Sequence, residues 1–117
     1  MLTKTGASLV VRLHWNFEWD ADKAEANVRK HRISFELAAE VLRDSQGDRY
    51  HLDEDDSTHS EVEDRYLTTA SSPGDRRIIL VIAWTDRSTD DEMVSRIISA
   101  RKATRWEVED YVRSLEG

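Results

Sequence analysis

Arg96, Arg101, Lys102 and Arg105 fall within ten residues, Arg-Ile-Ile-Ser-Ala-Arg-Lys-Ala-Thr-Arg, where a strand-like run ends and an amphipathic segment begins. Protein surfaces ordinarily intersperse their signs, so four cations this close together suit a phosphate-bearing or otherwise acidic partner. The residue types define the chemistry. A guanidinium donates two parallel hydrogen bonds to phosphate oxygens and keeps its charge at every accessible pH. Cleaving an RNA phosphodiester through the adjacent 2′-hydroxyl needs a base for that hydroxyl, cationic donors on the pentacovalent phosphate and an acid for the leaving oxygen. A metal is not required for it. Arg65, Arg96 and Arg101 are the candidates for the cationic role, with Lys102 beside them.

The alternative for Arg101, Lys102 and Arg105 is an ordinary solvated charge run. Positive charge at a helix start opposes the macrodipole by a few tenths of a kcal/mol, so fold stability alone would favour acids there. On a regular strand Arg96 and Arg101 point to opposite faces, because their separation is odd. They share one site only if a bulge or the strand-to-helix turn re-aims Arg101 or Lys102.

Proton transfer near neutral pH directs attention to His14, His31, His51 and His59. His31 closes a helix, where it either complements the dipole or packs, or else serves as an acid or base. Glu61 and Glu63 are strand-edge charges or, with a raised pKa, a carboxylate base. Tyr111 fits an apolar stripe and could equally stack a base or donate to phosphate. Trp106 lies off that stripe, and an exposed tryptophan there would anchor a partner or stack a base. No histidine pair has metal-ligand spacing, so neither metal nor cofactor is expected.

The elements that position these residues follow from periodicity. Trp15, Phe17 and Trp19 alternate, predicting a first strand within Leu9 to Trp19 with its aromatic face inward. Asp20 caps a helix carrying Ala24, Val28 and His31, and Arg32 stands where a helix-ending glycine is expected. Ser34 caps a second helix whose Phe35, Ala38, Ala39 and Leu42 fit the spacing i, i+3, i+4, i+7. Strands are predicted over Asp48 to Leu52, Val62 to Ser71, Ile78 to Thr85 and Met93 to Arg101, with a turn at Pro73-Gly74-Asp75. Ile78 to Trp84 lacks polar alternation and reads as a central strand buried on both faces. Val108, Tyr111, Val112 and Leu115 give a terminal helix. The order β-α-α-β-β-β-β-α, with mostly antiparallel strands packed by helices, is α+β.

Composition agrees with this size of fold. One domain over residues 1–117 is expected, with residues 1–10 disordered, and it buries roughly two-thirds of its unfolded surface. The absence of cysteine removes disulfides and thiolate metal sites, and the N-terminal apolar run is too short for a signal peptide or a membrane span. A cytoplasmic protein is the expectation. The net charge of -7 argues against indiscriminate nucleic-acid binding. Asp44 to Asp64 holds nine Asp or Glu against the single Arg49, either a solvated edge or a surface for a basic partner.

Phe17-Glu18-Trp19-Asp20, Lys23, Asn27, Lys30-His31, Ile33-Ser34-Phe35-Glu36 and Ala38-Ala39, read together with Arg96 to Arg105, resemble the BrnT family of bacterial toxins. The resemblance runs from about Phe17 to Tyr111. It implies a small RelE-like ribonuclease of a type II toxin–antitoxin system, a BrnA-like antitoxin partner and an RNA substrate. It further implies operator DNA contacted only through the antitoxin complex, and a toxin dimer within that complex. It also places an acidic residue two positions before an arginine, here Glu63 and Arg65. The chain departs from the family at Arg32, where a glycine is usual. At Leu42 to Ser45 the family shows an aromatic and Asp-Pro, and at Ser88 to Ser95 this chain carries extra residues in place of a short hairpin.

Two functions follow as expectations. The first is a metal-independent endoribonuclease toxin that inhibits growth, with Arg65, Arg96, Arg101 and Lys102 on phosphate and His31, Glu63 and Tyr111 as helpers. The second is a non-catalytic protein-binding module that acts with its antitoxin as a transcriptional co-repressor.

Overall fold

The first helix begins because the Asp20 carboxylate accepts from the backbone N–H groups of Asp22 and Lys23 at 2.8 and 3.0 Å. It ends at His31 because Arg32 turns left-handed, with φ 62° and ψ 26°, and returns its N–H to Val28 O. Arg32 is the one non-glycine residue with positive φ among the described residues. A Cβ in that conformation costs roughly 1 kcal/mol, which the helix-capping bond offsets. Ser34 then caps the next helix by accepting from Leu37 N–H at 3.1 Å.

The computed structural model describes residues 15–45 and 65–116 and the backbone of 51–55. In chain order its elements are β1 (Trp15–Glu18), α1 (Ala21–His31), α2 (Phe35–Ser45), β2 (His51–Asp55), β3 (Arg65–Ser71), β4 (Ile79–Asp86), β5 (Met93–Lys102) and α3 (Arg105–Glu116). This is the expected order and an α+β fold. The expectations for residues 1–10, for the strand portions 9–14, 48–50 and 62–64, and for the side chains of His14, His51, His59, Glu61 and Glu63 lie outside the described residues.

One five-stranded sheet runs in the order β1-β5-β4-β3-β2. Among the described residues its only parallel pair is β1 with β5, and the three remaining pairs are antiparallel. β4 is the middle strand, as its unbroken apolar run requires. Side chains alternate across a strand, so Leu80, Ile82 and Trp84 share a face with Ala70, Ile97 and Ala100. That face packs against Ile33, Phe35, Ala38, Val41 and Leu42 to form the core, and Trp15, Phe17 and Trp19 lie against its margin. Burying such side chains contributes about 1.5–3 kcal/mol each.

The opposite face of the sheet carries the terminal helix, α3. Its buried Tyr111 lines a cavity of about 370 Å³ with Ser71, Ile79, Val112 and Leu115. Among the described residues no helix is long and apolar enough to cross a membrane.

Candidate functional site

A bulge in β5 decides which arginines can act together. The β4–β5 register passes from Ala83 opposite Ser99 to Trp84 opposite Ile97, leaving Ile98 as an extra residue on β5. An extra residue shifts the alternation by one, so Arg96 and Arg101 point to the same face of the sheet. Of the alternatives the sequence leaves open, a regular strand with opposed arginines or a bulge that brings them to one face, the structure has the bulge. Burial follows the same shift, with Ser95, Ile97 and Ala100 buried on the core side.

The same face gathers a row across four strands. Arg65 lies opposite Thr85, Thr85 opposite Arg96, and Arg96 opposite Glu18. Two strand spacings put the Arg65 and Arg96 backbones roughly 10 Å apart, with Thr85 between them. Arg101 lies opposite Val81, four residues back along β4 and so roughly 13 Å from the Thr85 row. One phosphate seated between Arg65 and Arg96 would leave Arg101 to a neighbouring phosphate of an extended strand.

Both arginines on β5 already hold carboxylates. Arg96 donates to Glu18 at 3.0 Å, a half-exposed pair of the kind that contributes about 0–1 kcal/mol. A phosphate can replace such a partner at little cost. Arg101 grips Glu107 with both terminal nitrogens, at 2.6 and 2.9 Å. Glu107 also accepts from Thr104 N–H at 2.8 Å, while Thr104 Oγ1 accepts from Glu107 N–H at 3.2 Å. This reciprocal capping box starts α3.

The Arg101 fork holds the Glu107 carboxyl down from 4.5 to about 2, helped by Thr104 and opposed by partial burial. A carboxyl whose folded value lies below its unfolded value stabilises the fold above the unfolded value, and that contribution is lost as pH falls toward the folded one. Thermal melts should lose stability between pH 4.5 and about 2. Glu107→Gln should flatten that part of the profile, and an unchanged slope in the variant would remove Glu107 as its cause.

The remaining candidates are dispersed. Lys102 lies opposite Leu80, on the other face of β5 from Arg101, with its side chain exposed. His31 ends α1 in the helical layer that covers the core face, apart from the arginines. Tyr111 is 2% exposed and packs under α3. Glu63 is outside the described residues. Trp106 is 67% exposed, off the apolar stripe as its position implied, and the Arg113 guanidinium lies 5.6 Å from its ring centroid.

The extra residues after β4 make an ordered extension of the β4–β5 hairpin rather than a closing flap. Arg87 N–H donates to Val94 O at 2.8 Å, and Thr89 N–H to Glu92 O at 2.8 Å. Asn16 on β1 donates to the Glu92 carboxylate, so the extension is tied to the sheet edge beside the Thr85 row. Among the described residues no group of three or more His, Asp or Glu side chains is placed to hold a metal ion.

Three residues of this site are not evident from sequence reading. Glu18 belongs to a quoted motif and Glu107 to none, and their partners are fixed by the parallel β1–β5 pairing and by the capping box. Thr85 carried no signal beyond ending an apolar run. Its hydroxyl is fully buried and, with Arg65 Nε, is one of the two buried side-chain polar atoms among the described residues that lack a hydrogen-bond partner.

A family model described as "Ribonuclease toxin, BrnT, of type II toxin-antitoxin system" matches residues 19–107, most of the chain. None of the curated proteins matches it.

Proposed function

The chain belongs to the BrnT ribonuclease toxins of type II toxin–antitoxin systems, and from that membership we propose a metal-independent endoribonuclease that cuts RNA through the 2′-hydroxyl and arrests growth. Such a toxin has an RNA substrate and an antitoxin partner. The observation that carries the finer reading is the row in which Arg65 and Arg96 flank Thr85 on one sheet face.

Arg65 and Arg96 bind the scissile phosphate and offset the charge that develops on it as the 2′-oxygen attacks. Arg101 exchanges Glu107 for a neighbouring phosphate and fixes the direction of the strand. Proton transfer falls to Glu63, two positions before Arg65 in sequence, and to Glu18, whose carboxylate already lies against Arg96. A BrnA-like antitoxin neutralises the toxin by covering this face. Operator DNA is reached only through the complex, because a chain of net charge -7 gains little from DNA phosphates by itself. The protein acts in the cytoplasm, where its RNA is.

The test is induction of the chain in bacterial cells, followed by growth and RNA integrity, with purified protein assayed on RNA in excess chelator. Arrest and chelator-resistant cleavage, both lost in Arg65→Ala and both suppressed by a co-expressed BrnA-like antitoxin, are expected. A folded chain that neither arrests growth nor cuts RNA would transfer the weight to the non-catalytic co-repressor.

A further inference from the structure

We infer that Thr85 is a phosphate-binding residue: its buried hydroxyl and the Arg65 Nε–H form a two-donor seat for one anionic oxygen of a phosphodiester. The inference rests on the ribonuclease reading of this face and assigns it a residue that neither motif nor charge pattern indicates.

The two groups face each other across one β-pair. Arg65 is directly opposite Thr85 on the face that also carries Arg96. Directly opposed residues on a sheet face have Cβ atoms about 4.5–5.5 Å apart, within reach of a shared small partner. Each group is an orphan. Thr85 Oγ1 and Arg65 Nε are buried and without a partner, whereas the guanidiniums of Arg96 and Arg101 are both engaged.

An orphaned pair of this kind calls for a ligand. A buried polar atom left unpaired is penalised, which is why nearly all such atoms in folded proteins are satisfied. Valine has almost the same shape as threonine and suits the centre of a sheet, and the equivalent apolar positions on this face of β4 are Val81 and Ala83. A hydroxyl at position 85 therefore gains nothing from packing. Both orphans can donate, an Arg Nε–H and a Thr O–H, so their common complement is an acceptor with several lone pairs and no proton of its own. A phosphodiester oxygen between two guanidiniums has that character, and the charge-assisted bonds it would accept are the strong ones. The step is binding alone, with no bond broken or formed at Thr85.

The experiment compares the parent chain with Thr85→Val and Thr85→Ser in thermal unfolding, in cleavage of an RNA oligonucleotide, and in affinity for the same oligonucleotide with 2′-fluororibose at every position, which keeps the RNA-like sugar but has no attacking hydroxyl. Thr85→Val is expected to melt at or above the parent temperature, because it removes an orphaned hydroxyl without leaving a cavity. The same variant should lose at least 10-fold in cleavage and in affinity for the uncleavable strand, and Thr85→Ser should recover most of both. Unchanged cleavage and affinity in Thr85→Val would overturn the inference and identify the partner of the hydroxyl as no more than water. A parent that binds the uncleavable strand through Thr85 yet cuts no RNA would sustain the seat and reject the ribonuclease reading. Absence of binding in both chains would reject the seat together with that reading.

Discussion

Arg96→Ala is expected to reduce RNA cleavage by about 10²–10³-fold, the loss that follows removal of one donor from a preorganised anionic-transition-state site. Arg65→Ala should match it. The two arginines lie on either side of Thr85, so each supplies hydrogen bonds that the other cannot reach. Arg96→Ala carries a further penalty, since it leaves the Glu18 carboxylate beside the phosphate seat with its cation gone. Double replacement of Arg96 and Glu18 should recover part of the lost affinity for an uncleavable strand but not the cleavage rate, because Glu18 is also a proposed proton-transfer group, and a double-mutant cycle on both readouts would show it. Arg96→Lys keeps the charge and loses the fork, and should fall between parent and alanine. Arg101→Ala should raise KM more than it lowers kcat, because Arg101 sits roughly 13 Å away from the Thr85 row. Equal rates for parent and Arg96→Ala, with the circular dichroism of both intact, would remove Arg96 from the mechanism.

Asn27→Ala is expected to destabilise the fold by about 3–5 kcal/mol, a range reached when a buried hydrogen-bond network is broken. Beyond Arg96 the paired length of β1 ends, and β5 continues without that neighbour. Asn27 takes the vacant ladder place. Its amide donates to Ala100 O at 2.7 Å and to Ile33 O at 2.9 Å, and its oxygen accepts from Ala100 N–H at 3.2 Å. One side chain thus joins α1, the connection into α2 and the bulged part of β5, in a position 6% exposed. Alanine would strand three backbone groups at once. Asn27→Asp should be nearly as damaging, since a carboxylate keeps the acceptor but offers no donors to the two carbonyls. Urea unfolding of the three proteins tests this, and a loss below about 1 kcal/mol in Asn27→Ala would mean that water replaces the amide.

Local signals in the chain were sufficient for the elements and their order. Asp20 and Ser34 cap helices because their oxygens reach nearby N–H groups, and Arg32 adopts the left-handed turn its position demanded. The unbroken run ending at Trp84 is the middle strand because only a strand flanked on both sides buries both faces. The site was less legible, for a different reason. Its geometry depends on the unpaired Ile98 and on a parallel partnership between β1 and β5, and neither leaves a trace in short-range periodicity. Asn27 was visible as a motif residue, yet its use as a surrogate strand neighbour depends on where β1 stops. Lys102 and His31 were singled out by charge and by motif, and the sheet pairing and helical layer place both away from the arginine row.

The pairing of Glu18 with Arg96 also has a consequence for synthesis. These residues stand 78 positions apart, and the row between them draws on β3 and β4 as well. Contacts so distant in sequence form late and slowly, because the intervening chain must be ordered first. A ribosome emits the chain from its N-terminus, so nascent chain carries Arg65 long before it carries Arg96. Every partial product short of β5 therefore lacks Arg96, one of the two arginines proposed to bind the scissile phosphate. On the proposed reading, the cell making the protein is exposed to its activity only after β5 has emerged and paired.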